Sequence, residues 1–159
     1  MKRLLAGLLL LLLSACAAAN GPRPVAVDAE SLVAQIRQLP GAVLRENPLQ
    51  FSYPEQAMFG VGAVLPLPGG TGTLNPLADF FLRNAGLVWQ VEVPVQTEHG
   101  SEYDQALAEK RSELLASYLL YKKVDLSTLH FQPEAAAGEP LVFTLQTPIT
   151  DGKAKGSEK

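Results

Sequence analysis

The sequence has 159 residues, of which 47% are hydrophobic and 18% charged, and its 13 basic and 16 acidic residues give a net charge of −3. A chain of this length suits one domain with short appendages. The acidic balance argues against a protein that coats nucleic acid, anionic lipid or anionic glycan by charge alone.

The N-terminus has the pattern of a secretory signal peptide. Lys2 and Arg3 are followed by an apolar run over residues 4–13 and by small residues that precede Cys16. A run of this length is too short to span a bilayer, which takes roughly 18 or more apolar residues. The pattern therefore predicts export, with a signal peptide over residues 1–15.

The last residues of this segment, L-S-A-C, resemble the bacterial lipobox. The resemblance implies cleavage before Cys16 and acylation of that residue, the single cysteine of the chain. Several acyl chains would anchor the protein stably, because each buried methylene contributes about 0.8 kcal/mol. Ala17 resembles the sorting pattern for the outer membrane. The small residues of this segment, with Pro22 and Pro24, predict that residues 16–27 are a lipidated tether. The alternative is an ordinary cleavage site with an incidental cysteine.

The predicted domain covers residues 28–149 and begins with a helix. Asp28 can accept hydrogen bonds at the N-terminus of this helix, and apolar residues follow at helical spacing. Pro40 and Gly41 end it.

Three extended segments are expected after this helix. One begins at residues 42–44, and a second covers residues 49–53, where apolar and polar side chains alternate. A third covers residues 58–64, which include F-G-V-G, and its glycines would allow a bulge or a close approach of two backbones.

A second helix follows a glycine-rich turn. Asn75 can cap it, Pro76 suits its first position, and Gly86 can close its C-terminus. The G-G-T-G of the preceding turn could suggest a phosphate-binding loop, but no Lys and no Ser or Thr stand where a P-loop needs them. The turn is therefore interpreted as a connector.

The second half of the domain alternates strand, helix and strand. Residues 87–96 show the clearest alternation of the chain, a long helix runs to about residue 123, and strands are predicted at residues 129–132 and 141–146. The order β-α-β-α-β-β predicts an α+β domain, a two-layer sandwich with helices on one face of a mixed sheet. The polar residues 150–159 are predicted to be a disordered tail.

The long helix carries two charged residues on its apolar side. At about 100° per residue, Asp104 and Arg111 both point to the side of Leu107. A buried guanidinium requires an anion. Either Asp104 or Glu98 satisfies Arg111 as an internal ion pair, or Arg111 and the acidic loop before the helix frame a pocket for a charged ligand.

This region resembles the OmpA-like domain, which is found at the C-terminus of outer-membrane protein A and in the peptidoglycan-associated lipoprotein. The resemblance rests on T-E-H-G after a strand and on Y-D-Q-A-L-A-E-K-R-S-E-L-L-A-S-Y-L in the helix. It implies a periplasmic module in which Glu98, Asp104 and Arg111 bind peptidoglycan. Arg111 matches the arginine of the family, whereas Glu98 and Asp104 stand where the family has Asp and Asn, and the loop between them is shorter.

Two functions follow from this resemblance. The first is an outer-membrane lipoprotein that faces the periplasm, binds peptidoglycan and links the outer membrane to the cell wall. The second is a degenerate module of the same fold that acts as a protein scaffold in an envelope or secretion assembly. It is favoured because Glu98 and Asp104 differ from the residues that the family has at these positions.

Catalytic motifs are absent from the sequence. The two histidines, His99 and His130, lie in separate predicted elements, and neither G-x-S-x-G nor H-E-x-x-H occurs. A zinc site would need both histidines and carboxylates from other elements. We therefore predict a protein that is not an enzyme and holds no metal or other cofactor.

Overall fold

The computed structural model describes residues 28–148 with the exception of residue 56. The predicted signal peptide, the tether and the tail lie outside these residues. The regular elements are α1 (Ala29–Ile36), β1 (Val43–Glu46), β2 (Leu49–Tyr53), α2 (Thr71–Arg83), β3 (Trp89–Pro94), α3 (Ser101–Tyr121), β4 (Leu129–Glu134) and β5 (Leu141–Leu145). Within the described part of the chain, no helix is both long and apolar enough to cross a membrane.

The five strands form one mixed sheet in the order β1-β2-β5-β3-β4. Strand β5 lies at the centre and pairs antiparallel with both β2 and β3, whereas β3 and β4 are parallel. The parallel pair requires a long crossover, which α3 provides. The predicted α+β class and the order β-α-β-α-β-β are confirmed from β2 onward, and β1 adds an edge strand that pairs with β2.

The helices cover one face of the sheet, as predicted. The strand register aligns Phe51 with Phe143 and Phe143 with Val91 on this face. The rings of Phe51 and Phe143 stack with centroids 4.7 Å apart, and Trp89 meets Phe51 edge-on at 5.4 Å. All three helices contribute to the same buried cluster. Burial of these large aromatic side chains is the main source of stability of the fold.

The opposite face of the sheet carries mostly polar side chains, and no described helix covers it. The amide of Gln90 donates to Glu92 on its own strand at 2.7 Å and to Gln132 on β4 at 2.9 Å. Gln50 on β2 donates to Thr144 on β5 at 3.1 Å. Hydrogen bonds between polar side chains therefore connect neighbouring strands on this face.

Two local predictions are wrong. Residues 58–64 do not form a strand, because the segment pairs only through an isolated bridge between Phe59 and Pro66 and instead buries Phe59 as part of a loop. Helix α2 begins at Thr71, so Pro76 lies inside the helix and Asn75 does not cap it. The side chain of Asn75 accepts a hydrogen bond from the hydroxyl of Tyr118 at 2.6 Å, a tertiary contact that local sequence does not reveal.

Candidate ligand-binding cleft

Arg111 lies in the middle of α3 and is only 3% exposed. Its Nε donates to the carbonyl oxygen of Ala63 at 2.8 Å, and its Nη2 donates to the carbonyl oxygen of Gly60 at 2.9 Å. Its Cζ atom lies 4.8 Å from the centroid of the Phe59 ring, a cation–π distance. The loop between β2 and α2 therefore holds the guanidinium through backbone dipoles and an aromatic face.

Asp104 contacts a different partner. It is 4% exposed, and both of its carboxylate oxygens accept from the backbone N–H of Thr97, at 3.0 and 3.1 Å. The hydroxyl of Thr97 also donates to Asp104, at 2.6 Å. These bonds connect the segment that leaves β3 to the first turn of α3.

Of the two alternatives that the sequence leaves open for Arg111, the internal ion pair is not formed. In the described part of the chain, Arg111 makes no salt bridge with either Asp104 or Glu98. Arg111 follows Asp104 by seven positions, which places their backbones about 10 Å apart along the helix axis. The two side chains lie on the same side of α3 but contact different segments. Arg111 contacts the loop between β2 and α2, and Asp104 contacts the segment that follows β3.

Glu98 is exposed and is not among the residues that line the cleft described below. Its neighbours shape a short turn, in which the N–H of His99 donates to the hydroxyl oxygen of Thr97 at 3.1 Å. The ring of His99 then meets that of Tyr103, with centroids 4.8 Å apart. Of the three predicted site residues, Arg111 lines the cleft, Asp104 lies behind Thr97, and Glu98 lies outside.

An open cleft of about 860 Å³ begins at Arg111 and extends over the open face of the sheet. We call the part lined by Glu55, Gly62, Thr97 and Arg111 the loop end. We call the part lined by side chains of the open sheet face and by the β4–β5 loop the sheet groove. The charged side chains that line the whole cleft are Arg45, Glu55, Glu92, Arg111, Glu134 and Glu139.

The loop end combines a buried cation with a nearby carboxylate. Burial lowers the pKa of Arg111, while the charge of Glu55 acts in the opposite direction. A guanidinium has five N–H donors and remains charged in proteins. The contacts to Gly60 and Ala63 use two of them, so a carboxylate or phosphate of a ligand could be bound by the others.

Sequence reasoning missed Thr97 and Glu55. The T-E-H-G segment contains Thr97, but the resemblance drew attention to the acidic residue beside it. Glu55 follows a proline at the end of β2 and carries no motif. The carbonyl groups of Gly60 and Ala63 could not have been identified, since every residue has one and only the folded loop selects which two face Arg111.

Comparison with solved structures shows which proteins have this fold. A MotB-like protein from Desulfovibrio vulgaris has a TM-score of 0.54 and 17% identity, over 78% of this chain and 96% of that one. The cell wall anchor of the T6SS from Pseudomonas aeruginosa has a TM-score of 0.52 and 14% identity, over 79% and 99%. The periplasmic domain of Helicobacter pylori MotB (residues 90–256) has a TM-score of 0.52 and 15% identity, over 69% and 83%.

These likenesses confirm the OmpA-like fold that the sequence predicts. At such low identities they establish the fold alone. No protein-family model matches the sequence, and no curated protein matches it.

We expect Thr97→Val to lower the free energy of unfolding by about 1.5 to 3 kcal/mol, because a hydrogen bond to a charged group is lost and a buried carboxylate keeps only the backbone donor. Urea denaturation measures the change. Thr71→Val, at an exposed position of α2, is the matched control and should stay within about 0.5 kcal/mol of wild type. Equal effects of the two substitutions would show that the contact between Thr97 and Asp104 is unimportant.

Proposed function

We propose that this chain is an outer-membrane lipoprotein whose non-catalytic OmpA-like domain faces the periplasm, binds peptidoglycan and links the outer membrane to the cell wall. In this proposal the loop end of the cleft takes a carboxylate of the peptide part of peptidoglycan. Arg111 provides the charge, and Thr97, held by Asp104, shapes the wall beside it.

The proposal rests on one observation, the burial and the hydrogen bonding of Arg111. Its side chain is buried and fixed by two carbonyl oxygens, yet no carboxylate of the described residues neutralises it within salt-bridge distance. A fixed cation that makes no salt bridge with the described residues, at the wall of an open cleft, favours an anionic group from outside. Little side-chain entropy would then be lost on binding.

The structural comparisons give independent support. One protein with this fold is a cell wall anchor, and another is the periplasmic domain of a MotB protein. A role at the cell wall is consistent with the signal peptide and lipobox that the sequence predicts, because a lipid on Cys16 would keep the domain next to the membrane.

The test of this proposal is co-sedimentation of the purified mature domain with sacculi. Wild-type protein should sediment with the sacculi, and Arg111→Met should bind about 10- to 100-fold more weakly, because a charge-assisted contact worth about 1.5 to 3 kcal/mol is lost. Arg83→Met, which removes an exposed arginine of α2, is the matched control and should bind as wild type does.

Arg111→Lys separates loss of binding from loss of folding. Lysine keeps the positive charge but cannot reproduce the fork of the guanidinium, so we expect binding between that of wild type and of Arg111→Met. Circular dichroism establishes that each variant is folded. Wild-type protein that remains in solution, or a folded Arg111→Met that sediments fully, would contradict the proposal.

A second candidate function is a protein scaffold in an envelope or secretion assembly, without peptidoglycan binding. The position of Glu98 favours it, since this residue is exposed and does not line the cleft. The scaffold function predicts that replacement of Arg111 leaves association with the envelope unchanged and that cross-linking in cells captures a protein. Cross-links to glycan alone would argue against it.

Lipidation can be tested separately from the domain. We expect Cys16→Ser to prevent acylation and to move the protein from the outer-membrane fraction to the soluble periplasmic fraction, because the anchor is then missing. Immunoblots of separated membranes and metabolic labelling with a fatty acid measure the two effects. Ser14→Ala leaves the cysteine in place and is the control. Unchanged membrane association of an unlabelled Cys16→Ser protein would refute lipid anchoring.

A further inference from the structure

The loop between β2 and α2 crosses one side of α3. Tyr103, Leu107 and Arg111 follow one another at intervals of four residues, so they lie on the same side of the helix, about 6 Å apart along its axis. Val64 of the loop packs against the buried Leu107 in the middle of this row. Arg111 holds the loop on one side of that contact, through the two carbonyl groups to which it donates.

Tyr103 lies on the other side of the same contact. A Cβ atom built at Gly62 would be 3.9 Å from the hydroxyl oxygen of Tyr103, and Gly62 lines the loop end of the cleft. The next residue, Ala63, accepts the hydrogen bond from Arg111. Tyr103 is 43% exposed, and Val61, which also lines the cleft, is 77% exposed. An exposed aromatic ring and an exposed aliphatic side chain therefore border the loop segment that holds the buried cation.

The ring of Tyr103 is held in one orientation. His99 meets it edge-to-face, with ring centroids 4.8 Å apart and an angle of 68° between the planes. An aromatic ring that is already ordered loses little side-chain entropy when a ligand stacks on it. Tyrosine also combines a flat apolar surface with a polar hydroxyl. This combination suits a sugar ring, which presents C–H groups on its face and hydroxyls at its edge.

Charge favours the side of Tyr103 for the rest of an anionic ligand. The sheet groove is lined by Glu92, Glu134 and Glu139, against the single cation of Arg45. A peptide that carries several carboxylates is repelled from such a surface. The loop residues 60–65, G-V-G-A-V-L, carry no charge. A ligand whose carboxylate is bound by Arg111 is therefore expected to extend over these residues, toward Tyr103.

The distance matches the chemistry of peptidoglycan, in which each peptide is joined to a sugar of the glycan strand. Eight positions of α3 place the backbones of Tyr103 and Arg111 about 12 Å apart. Two or three peptide residues at about 3.3 Å each span about 7 to 10 Å, and the link to the sugar adds the remainder. We propose that a sugar ring of peptidoglycan stacks on Tyr103 while a carboxylate of the attached peptide binds Arg111, an inference that rests on the function proposed above.

The test compares two fragments of sacculi, a disaccharide that carries its peptide and the same peptide without sugars. Each is titrated calorimetrically into the mature chain with Cys16→Ser, the reference protein, which carries no lipid. We expect the reference protein to bind the disaccharide peptide about five- to tenfold more tightly than the sugar-free peptide. Tyr103→Ala should remove this difference and leave the affinity for the sugar-free peptide unchanged, which also shows that the variant is folded.

Three further variants complete the test. Tyr103→Phe keeps the ring and should bind both fragments within about twofold of the reference protein. Tyr121→Ala removes a tyrosine that is 76% exposed at the end of the same helix, and it is the matched control that should change neither affinity. Arg111→Met should weaken the binding of both fragments, because both carry the carboxylate.

The outcomes separate this inference from the proposed function. Equal binding of the two fragments to the reference protein, an equal loss for both in Tyr103→Ala, or the same loss in Tyr121→Ala would overturn the sugar contact. In each of these cases the binding of the peptide by Arg111 would still stand. Binding of neither fragment would overturn the proposed function together with this inference.

Discussion

The Arg111 guanidinium donates hydrogen bonds to two backbone carbonyl groups, and the rest of the site depends on this interaction. It fixes the loop between β2 and α2 against α3, and so forms one wall of the cleft. Carbonyl groups stabilise a cation through their dipoles without cancelling its charge. A carboxylate in their place would have produced a neutral internal pair. The arrangement observed leaves a positive charge that is rigidly placed and still able to attract an anion.

A second set of hydrogen bonds, between Thr97 and Asp104, completes the loop end. Asp104 holds Thr97 by its backbone N–H and its hydroxyl, which fixes the exit of β3 relative to the start of α3. The aromatic core around Phe51, Phe143 and Trp89 keeps in place the sheet and helices that position both sets of hydrogen bonds. All three described helices pack on one face of the sheet, and Arg111 lies on one of them.

Much of this architecture follows from local pattern. Alternation predicted β2 and β3, helical spacing predicted α3, and the charge on the apolar side of that helix identified Arg111 as buried. The predictions that depended on partners distant in sequence were less successful. An ion pair of Arg111 with Asp104 or Glu98 is one of two alternatives that the sequence leaves open, but a rise of about 10 Å separates Asp104 from Arg111 along the helix. The carbonyl partners of Arg111 and the interior position of Pro76 are set by tertiary packing, which local sequence does not encode.

The most direct test of the central claim is the rate of hydrogen exchange at the Arg111 Nε–H group, measured by ¹⁵N NMR and compared with that of the exposed Arg83. The hydrogen bond to the Ala63 carbonyl and the burial of the side chain predict exchange at least about tenfold slower for Arg111. Equal exchange rates for the two arginines would show that the guanidinium is not held by the loop, and the account of the cleft would fail.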